Sequence, residues 1–187
     1  MSKQTSAPAL AVSVRELLKQ PGAHKHVFQR GLLPDMATPV ARVEPDAPVT
    51  VDAEVESVVE GLLVTGQVTA SAKLQCARCL RTIDHEILVD VRELFALDPR
   101  EAEDEGYALL PDDRLPLDAM ARDAIVLAFP AAPLCRPDCA GLCQQCGADL
   151  NVTDCGHRRG PVDPRWADLA GLDLGSLWPG DNGSSRT

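Results

Sequence analysis

The sequence predicts an α+β fold, an antiparallel β-meander covered by helices and followed by a cysteine-rich C-terminal segment. Three observations support this prediction. Apolar and polar residues alternate through three successive stretches between residues 49 and 95, the stretch 115–129 has helical spacing, and six of the seven cysteines lie in close groups. The alternation leaves open whether the sheet closes toward a barrel.

The N-terminal third gives the weakest signals for regular structure. Residues 1–8 are expected to be disordered. Ser13, with Glu16 three places later, forms a capping box and predicts a short helix that ends at Pro21-Gly22. The prolines and small residues of 34–48 predict an extended connection rather than a regular element.

The next three stretches, 49–56, 62–75 and 82–95, are predicted to be strands with one buried and one solvent-exposed face. Their links are short, which predicts an antiparallel meander. The residues expected to face inward are Val49, Val51, Ala53 and Val55 in the first strand, Leu62, Val64, Val68, Ala70, Ala72 and Leu74 in the second, and Ile83, Ile87, Val89, Val91 and Phe95 in the third.

An amphipathic helix is predicted next. The acidic stretch 98–113 is interpreted as a solvated loop. After it, apolar residues at helical spacing predict a helix that covers the open face of the sheet; they are Leu117, Met120, Ala121, Ala124 and Ala128. Residues 9–133 then form the α+β core.

A cysteine-rich zinc-binding segment is expected from residue 134 to residue 179. Asp163 and Pro164 are typical of a helix start, and they predict a short C-terminal helix bearing Trp166. The tail, residues 180–187, is expected to be disordered.

Composition and charge exclude several classes of function. The 187 residues carry a formal net charge of -10, which opposes strong binding to a phosphate backbone, because such binding depends on Lys and Arg. Aromatic residues make up 3% of the chain, too few to build the stacking surfaces that bind single-stranded nucleic acid. A basic protein partner fits this charge better.

The distribution of apolar residues favours a cytoplasmic protein without membrane contact. No stretch is long and apolar enough for a secretory signal or a membrane span. Because the cytoplasm is reducing, the seven cysteines indicate metal or redox chemistry there rather than disulfides.

Two CxxC pairs predict zinc knuckles. "CARC" places Cys76 and Cys79 at the tip of the hairpin between the second and third strands, and "CQQCG" places Cys143 and Cys146 before a glycine turn. Two thiolates at this spacing can bind one tetrahedral zinc ion. Redox chemistry is an alternative, but it needs a thiol pKa lowered by a helix N-terminus, which a hairpin tip does not provide.

The candidate zinc ligands divide into two tetrahedral sites; they are Cys76, Cys79, Cys135, Cys139, Cys143, Cys146, Cys155 and His157. The favoured grouping joins the hairpin pair to Cys135 and Cys139, which makes a zinc-stapled C-terminal segment, and leaves the other four as a local site. The alternative joins the hairpin pair to Cys155 and His157. A single zinc ion with the remaining thiols free is a third possibility.

The other histidines are not assigned as ligands. His85 lies on the inward side of the third strand, where a hydrogen-bonded core or edge histidine is more common than a metal ligand. His24 and His26 have polar neighbours and are expected to be exposed.

The zinc sites are expected to be structural. A hydrolytic zinc site keeps an open position for water, whereas cysteine-rich quartets are closed. The sequence contains no GxSxG elbow, HExxH helix, phosphate-binding glycine loop or HxE deaminase pattern. We therefore expect a non-enzymatic protein without a small-molecule substrate.

Arginines flank the candidate ligands; they are Arg78, Arg81, Arg136, Arg158 and Arg159. One interpretation is that they offset the negative charge of a thiolate group. The other is a local basic patch that contacts RNA or a partner.

These motifs together resemble a known family. "LQCARCL", the helix that leads into "FPAAPLC", and "CRPDCAGLCQQCGADLN" with "DPRWADL" beyond it resemble the large ribosomal RNA subunit accumulation protein family, called YceD-like, in its actinobacterial form. The resemblance covers Val12 to Leu172. It implies a non-enzymatic bacterial cytoplasmic protein, with a plastid counterpart, that is needed for accumulation or processing of large-subunit ribosomal RNA.

The resemblance also bears on the grouping of the ligands. Some members keep only the first CxxC, carry histidines where Cys135 and Cys139 lie here, and lack the second knuckle, which favours the first grouping. Many relatives carry cysteine at the position of His157; histidine is a competent zinc ligand, so the second site remains complete.

The expected function is a factor for accumulation, processing or stability of large-subunit (23S) ribosomal RNA that acts in ribosomal subunit assembly through a ribosomal protein or a processing factor. Weak direct contact with ribosomal RNA is compatible with this expectation. The alternatives are a zinc-ribbon module that binds nucleic acid directly and a CxxC thiol redox protein.

Overall fold

The computed structural model describes residues 9–98, 100, 106–157 and 165 of the chain. Strands dominate these ranges, which contain the α-helix Leu117–Ala128 and a 3-10 turn at Leu17–Lys19. The elements are β1 Ala11–Ser13, β2 His24–Gly31, β3 Ala41–Val43, β4 Val49–Val58, β5 Gly61–Gln75, β6 Thr82–Ala96, β7 Tyr107–Ala108, β8 Arg114–Pro116 and α1 Leu117–Ala128.

The predicted meander is present. β4, β5 and β6 pair antiparallel in sequence order, and their inward residues form the apolar core. β2 extends this sheet on the other side of β4, and β7 pairs with β6 in parallel. β3 pairs with the C-terminal end of β5. β2 and β7 end the sheet without pairing with each other, so the described strands form an open sheet and not a barrel. β1 and β8 form a separate two-stranded sheet.

The prediction of a short helix that begins near Ser13 is wrong. Ser13 ends β1, which pairs with β8, and only one 3-10 turn follows at Leu17–Lys19. The capping box does not form, because the Glu16 carboxylate accepts a hydrogen bond from Lys25 Nζ at 2.5 Å. Lys25 Nζ also donates to the backbone oxygen of Ser13, at 3.2 Å. Pairing with neighbouring strands therefore replaces the local helix.

Two strands and part of a loop also differ from expectation. β2 and β3 lie in stretches for which no strand was predicted; in β2 only Val27 is buried, so its alternation is weak. The end of the acidic stretch 98–113 is not a solvated loop, because Tyr107 stacks on Phe95 with ring centroids 5.2 Å apart and Leu109 is buried.

The three histidines without an assigned role are exposed. His24 and His26 lie on the outward side of β2, as expected. His85 is also exposed, although its position in β6 predicted a core or edge histidine. The inward side of β6 is fully buried only at Ile87, Val91 and Phe95, and His85 lies closer to the hairpin tip.

The predicted helix is α1, with Leu117, Met120, Ala121 and Ile125 buried. These side chains join the same apolar cluster as the inward residues of the sheet. The buried face of α1 differs from the expected one near the C-terminal end of the helix. Ile125 is buried there, whereas Ala128, which was expected to be buried, is exposed.

Gly66 allows β4 and β5 to approach closely in the centre of the sheet. A Cβ atom at this position would lie 2.3 Å from the backbone oxygen of Asp52 and 2.4 Å from Cα of Ala53. Both atoms belong to the backbone of β4, which cannot move without breaking the pairing with β5.

We therefore expect Gly66→Ala to lower the free energy of unfolding by about 3 kcal/mol, the upper part of the range for overpacked cores. Urea unfolding followed by circular dichroism measures the change. Thr65→Ala is the matched control, because Thr65 is exposed on the same strand; its effect should stay below about 1 kcal/mol. Equal effects of the two substitutions would contradict the packing at Gly66.

The β5–β6 hairpin positions the candidate site. Its register pairs Gln75 with Thr82, so residues 76–81 form the hairpin tip. The chain after α1 returns to this tip, where the backbone N–H of Ala77 donates to the oxygen of Pro133 at 2.8 Å. The expected C-terminal helix with Trp166, the expected disordered ends and both Arg158 and Arg159 lie outside the described residues.

None of the helices within the described ranges has the length and apolar character needed to cross a bilayer.

Candidate metal centre

The hairpin tip is a tight turn that presents two thiols on one side. The N–H of Cys76 donates to the oxygen of Arg81 at 2.8 Å, and the N–H of Leu80 donates to the oxygen of Cys76 at 2.9 Å. Cys76 and Cys79 lie inside this turn and both are buried. We call residues 76–81 the first knuckle.

Residues 143–148 repeat the same turn, and we call them the second knuckle. The N–H of Cys143 donates to the oxygen of Ala148, and the N–H of Gly147 donates to the oxygen of Cys143, both at 2.8 Å. The fifth residue of each knuckle has a left-handed backbone, with φ of 60° at Leu80 and 73° at Gly147. The two CxxC pairs therefore have the same local fold, although only the second carries glycine at the left-handed position.

Leu80 should show the effect of this backbone conformation on stability. Leu80→Gly is expected to unfold at higher urea concentration than Leu80→Ala, with a difference of about 1 kcal/mol. Both substitutions remove the half-exposed side chain, but only glycine adopts positive φ without strain. Urea unfolding of the two variants measures the difference. The usual order, with alanine more stable, would show that the turn is not left-handed at this residue.

The first group contains Cys76, Cys79, Cys135 and Cys139, whose sulfur atoms all lie within 4.8 Å of one another. Sγ of Cys76 is 3.8 Å from Sγ of Cys139, and Sγ of Cys79 is 3.6 Å from Sγ of Cys135. Zn–S bonds of about 2.3 Å in a tetrahedron place the sulfurs about 3.8 Å apart. A disulfide needs about 2.05 Å, so the spacing fits a shared metal ion and not a sulfur–sulfur bond.

The second group contains Cys143, Cys146, Cys155 and His157, with ligand atoms that also lie within 4.8 Å of one another. Sγ of Cys143 is 3.8 Å from Nδ1 of His157. Cys143 is buried, whereas Cys146 and His157 are exposed. The second group therefore lies nearer the surface than the first.

Backbone amides point at the sulfur atoms in both knuckles. The amide of Cys79, with those of Cys135 and Arg78, lowers the pKa of the Cys76 thiol to about 6 against the opposing effect of burial. The amides of Cys146 and Gln145 lower the pKa of the Cys143 thiol to about 6 in the same way. Both knuckles thus favour the thiolate, which is the form that binds metal.

The thiols of the first group shift in opposite directions. Burial and the neighbouring thiols raise the pKa of Cys135 to about 12. Burial also raises the pKa of Cys139, but the side-chain amide of Asn151 and the backbone amide of Gly141 outweigh it, so the net shift is downward. Four sulfurs in contact repel one another as thiolates. A divalent cation between them would remove this repulsion.

The structure brings the eight sequence-predicted ligand residues together in the favoured grouping, four and four. In the alternative grouping the hairpin pair would lie beside Cys155 and His157, but it lies beside Cys135 and Cys139. Both groups fit a metal ion. Zinc ligation by these residues remains a prediction.

The three described arginines of the predicted basic patch make contacts inside the site. Arg78 Nη1 donates to the backbone oxygen of Cys139 at 2.9 Å, and Arg81 Nη2 lies 3.2 Å from Oδ2 of Asp149. Arg136 Nη2 donates to Oδ1 of Asn151 at 2.8 Å. These contacts favour a structural role for the arginines, and their role at an RNA or partner surface remains a prediction.

Sequence reasoning missed the residues that surround the first group without being ligands. Asn151 Nδ2 lies 3.5 Å from Sγ of Cys139, and Gly141, with φ of 79°, packs against the backbone of Arg78. Asp149 accepts hydrogen bonds from the N–H and Nδ2 of Asn151, at 2.9 and 2.6 Å. The Asp-Leu-Asn tripeptide is typical of an Asx turn, which was the available signal.

The chemistry open to these groups is that of closed structural sites. Each set already supplies four ligand atoms, which completes the tetrahedral coordination typical of structural zinc and leaves no position for a substrate or a reactive water. Such a site holds two chain segments together. Here it would hold the segment after α1 against the first knuckle.

Comparison with known proteins places these residues in a family context. Residues 64–173 match the family described as large ribosomal RNA subunit accumulation protein YceD, and this range contains all eight candidate ligands. An uncharacterized protein of Mycobacterium tuberculosis is 37% identical over 169 residues, which cover 87% of this chain and 81% of that protein. An uncharacterized protein of Mycobacterium leprae is 38% identical over 135 residues, covering 70% of this chain and 61% of that protein.

A plant protein is also similar. The chloroplastic large ribosomal RNA subunit accumulation protein YCED homolog 1 of Zea mays is 30% identical over 141 residues, covering 59% of this chain and 48% of that protein. No solved structure matches the chain.

Proposed function

Because the chain belongs to the large ribosomal RNA subunit accumulation protein YceD family, we propose that it is a non-enzymatic factor for accumulation, processing or stability of 23S ribosomal RNA. It acts in assembly of the large ribosomal subunit, in the cytoplasm, and through protein partners. The observation that carries this proposal is the family match, which spans the sheet from within β5, α1 and both cysteine groups.

The proposed role of the metal is structural. We infer that the first and second groups each bind one zinc ion, and that these ions hold the 134–157 segment on the first knuckle. The donor sets support this inference, because sulfur-rich sets at these spacings are typical of structural zinc. The resulting surface, rather than a reaction, would be what a partner recognises.

Charge supports a protein partner over direct binding of RNA. The net charge of -10 favours association with a basic ribosomal protein or a processing factor. Arg78, Arg81 and Arg136 are engaged by carbonyl, carboxylate or amide oxygens, which reduces their availability to phosphates. A weak contact with ribosomal RNA remains compatible with this arrangement.

Affinity purification of the tagged chain from cells tests the proposal. Ribosomal proteins of the large subunit or rRNA processing factors should be enriched. The matched control is a tagged unrelated protein of equal size and net charge, because basic ribosomal proteins bind acidic proteins non-specifically. Equal enrichment with the control would remove the basis of the assembly role.

A salt titration separates the alternative of direct nucleic-acid binding. A zinc-ribbon module that binds RNA through phosphates loses affinity steeply as salt rises. We expect no such steep dependence, and at most weak binding at low salt. Tight, salt-sensitive binding of ribosomal RNA would instead favour the nucleic-acid alternative.

A further inference from the structure

We propose that Asn151 joins the two cysteine groups, so that an ion in the second group strengthens the hold of the first group on its own ion. This inference rests on the proposed binding of zinc to both groups. It concerns a residue that is not itself a ligand and that lies in the loop between two ligands of the second group, Cys146 and Cys155.

The side chain of Asn151 makes its hydrogen bonds at and around the first group. Its Nδ2 lies 3.5 Å from Sγ of Cys139 as a donor. Its Oδ1 accepts from the N–H of Ala140 at 2.9 Å and from Arg136 Nη2 at 2.8 Å. One amide therefore contacts both a sulfur of the first group and the backbone that follows it.

The loop that carries Asn151 is itself fixed to the first knuckle. Asp149 Oδ1 accepts from Nδ2 of Asn151, and Asp149 Oδ2 lies 3.2 Å from Arg81 Nη2. The N–H of Leu150 donates to the oxygen of Gly141 at 2.9 Å. The orientation of the Asn151 amide is thus set by contacts on both sides.

An ion in the second group would restrict this loop. Cys146 and Cys155 would bind the same ion, so the residues between them would form a closed loop with less freedom than an open chain. A restricted loop presents Asn151 to Cys139 at a smaller loss of entropy. Because outer hydrogen bonds to metal ligands typically change metal affinity 10- to 100-fold, the two sites should be coupled, and the coupling should be reciprocal.

Zinc release from the full chain tests this coupling. Protein loaded with zinc is mixed with excess EDTA, and the rate of release from the first group is followed in wild type, Asn151→Ala, Cys146→Ser and the double variant. Cadmium-113 NMR of cadmium-loaded protein identifies each site, because four-sulfur and mixed sulfur–nitrogen sites have different shifts. Val152→Ala is the matched control, since Val152 is an exposed neighbour.

We expect Asn151→Ala and Cys146→Ser each to speed release from the first group about 10-fold, and the double variant to be no faster than the faster single variant. Asn151→Ala should not change amide protection in β5 and β6, which separates this effect from loss of folding. If the two effects multiply, or if Asn151→Ala releases zinc at the wild-type rate, the coupling is overturned while zinc binding stands. If wild type holds no zinc, the inference and the zinc proposal both fail.

Discussion

Replacing Cys139 with serine should free the 134–157 segment from the first knuckle while the sheet stays folded. Cys139 is 2% exposed and belongs to a small buried cluster with Cys76 and Cys79. Its buried members are distinct from those of the apolar core that the sheet shares with α1, and Ile83 packs against both clusters. Structural zinc contributes on the order of 10 kcal/mol in apparent binding free energy, so loss of a ligand should undock the segment but leave the main core intact.

Hydrogen exchange measures this result directly. Amides of residues 139–150 that are hydrogen-bonded in the wild type, such as those of Leu142 and Leu150, should exchange at least about 100-fold faster in Cys139→Ser. Amides in β4 should change little. The control is Ala140→Ser, an exposed neighbour whose side chain is not a ligand. Unchanged exchange of the segment, or collapse of the whole sheet, would contradict the account.

Replacing Cys146 with serine should have a more local effect. Cys146 is exposed, so the substitution removes a ligand of the second group and little packing. We expect loss of one zinc ion per chain and faster exchange at the second knuckle, including the amides of Cys143 and Gly147, by about 100-fold. The first group should keep its ion.

Zinc content and hydrogen exchange are measured in both Cys146→Ser and Cys139→Ser, so that the effects of losing a ligand from each group can be compared. Protection of the Cys76 and Leu80 amides, which are hydrogen-bonded in the first knuckle, should persist in Cys146→Ser and fall in Cys139→Ser. If both variants lost both ions and protection in both knuckles to the same extent, the cysteines would form one unit and not two groups.

The sequence predicted best those elements whose burial repeats along the chain. β4 alternates strictly between buried and outward residues, β5 does so apart from Gly61 and Gly66, and the buried residues of α1 lie on one side. β2 could not be found in this way, because Val27 is its one fully buried residue and pairing with β4 holds it in the sheet. The capping box of Ser13 and Glu16 does not form because Ser13 belongs to β1, which pairs with β8, and because the Glu16 carboxylate accepts a hydrogen bond from Lys25 of β2.

In the candidate site, too, the features that depend on local sequence were predicted and those that depend on tertiary contacts were not. The CxxC spacing defines each knuckle locally, so the residues that could bind metal were found from the sequence. The contacts of Asn151 and Arg81 could not be found, because they depend on how the 134–157 segment approaches the hairpin tip. The division of the chain into a 9–133 core and a 134–179 segment remains a prediction, and the cluster of Cys76, Cys79 and Cys139 contains residues from both sides of this boundary.

The zinc content of the full chain, purified under reducing conditions, tests the central claim most directly. Mass spectrometry of the native protein and elemental analysis should give two zinc ions per chain, one for each group of four ligands. Protein without bound metal, with a reversible disulfide between Cys76 and Cys79, would contradict the account and would favour a thiol redox function.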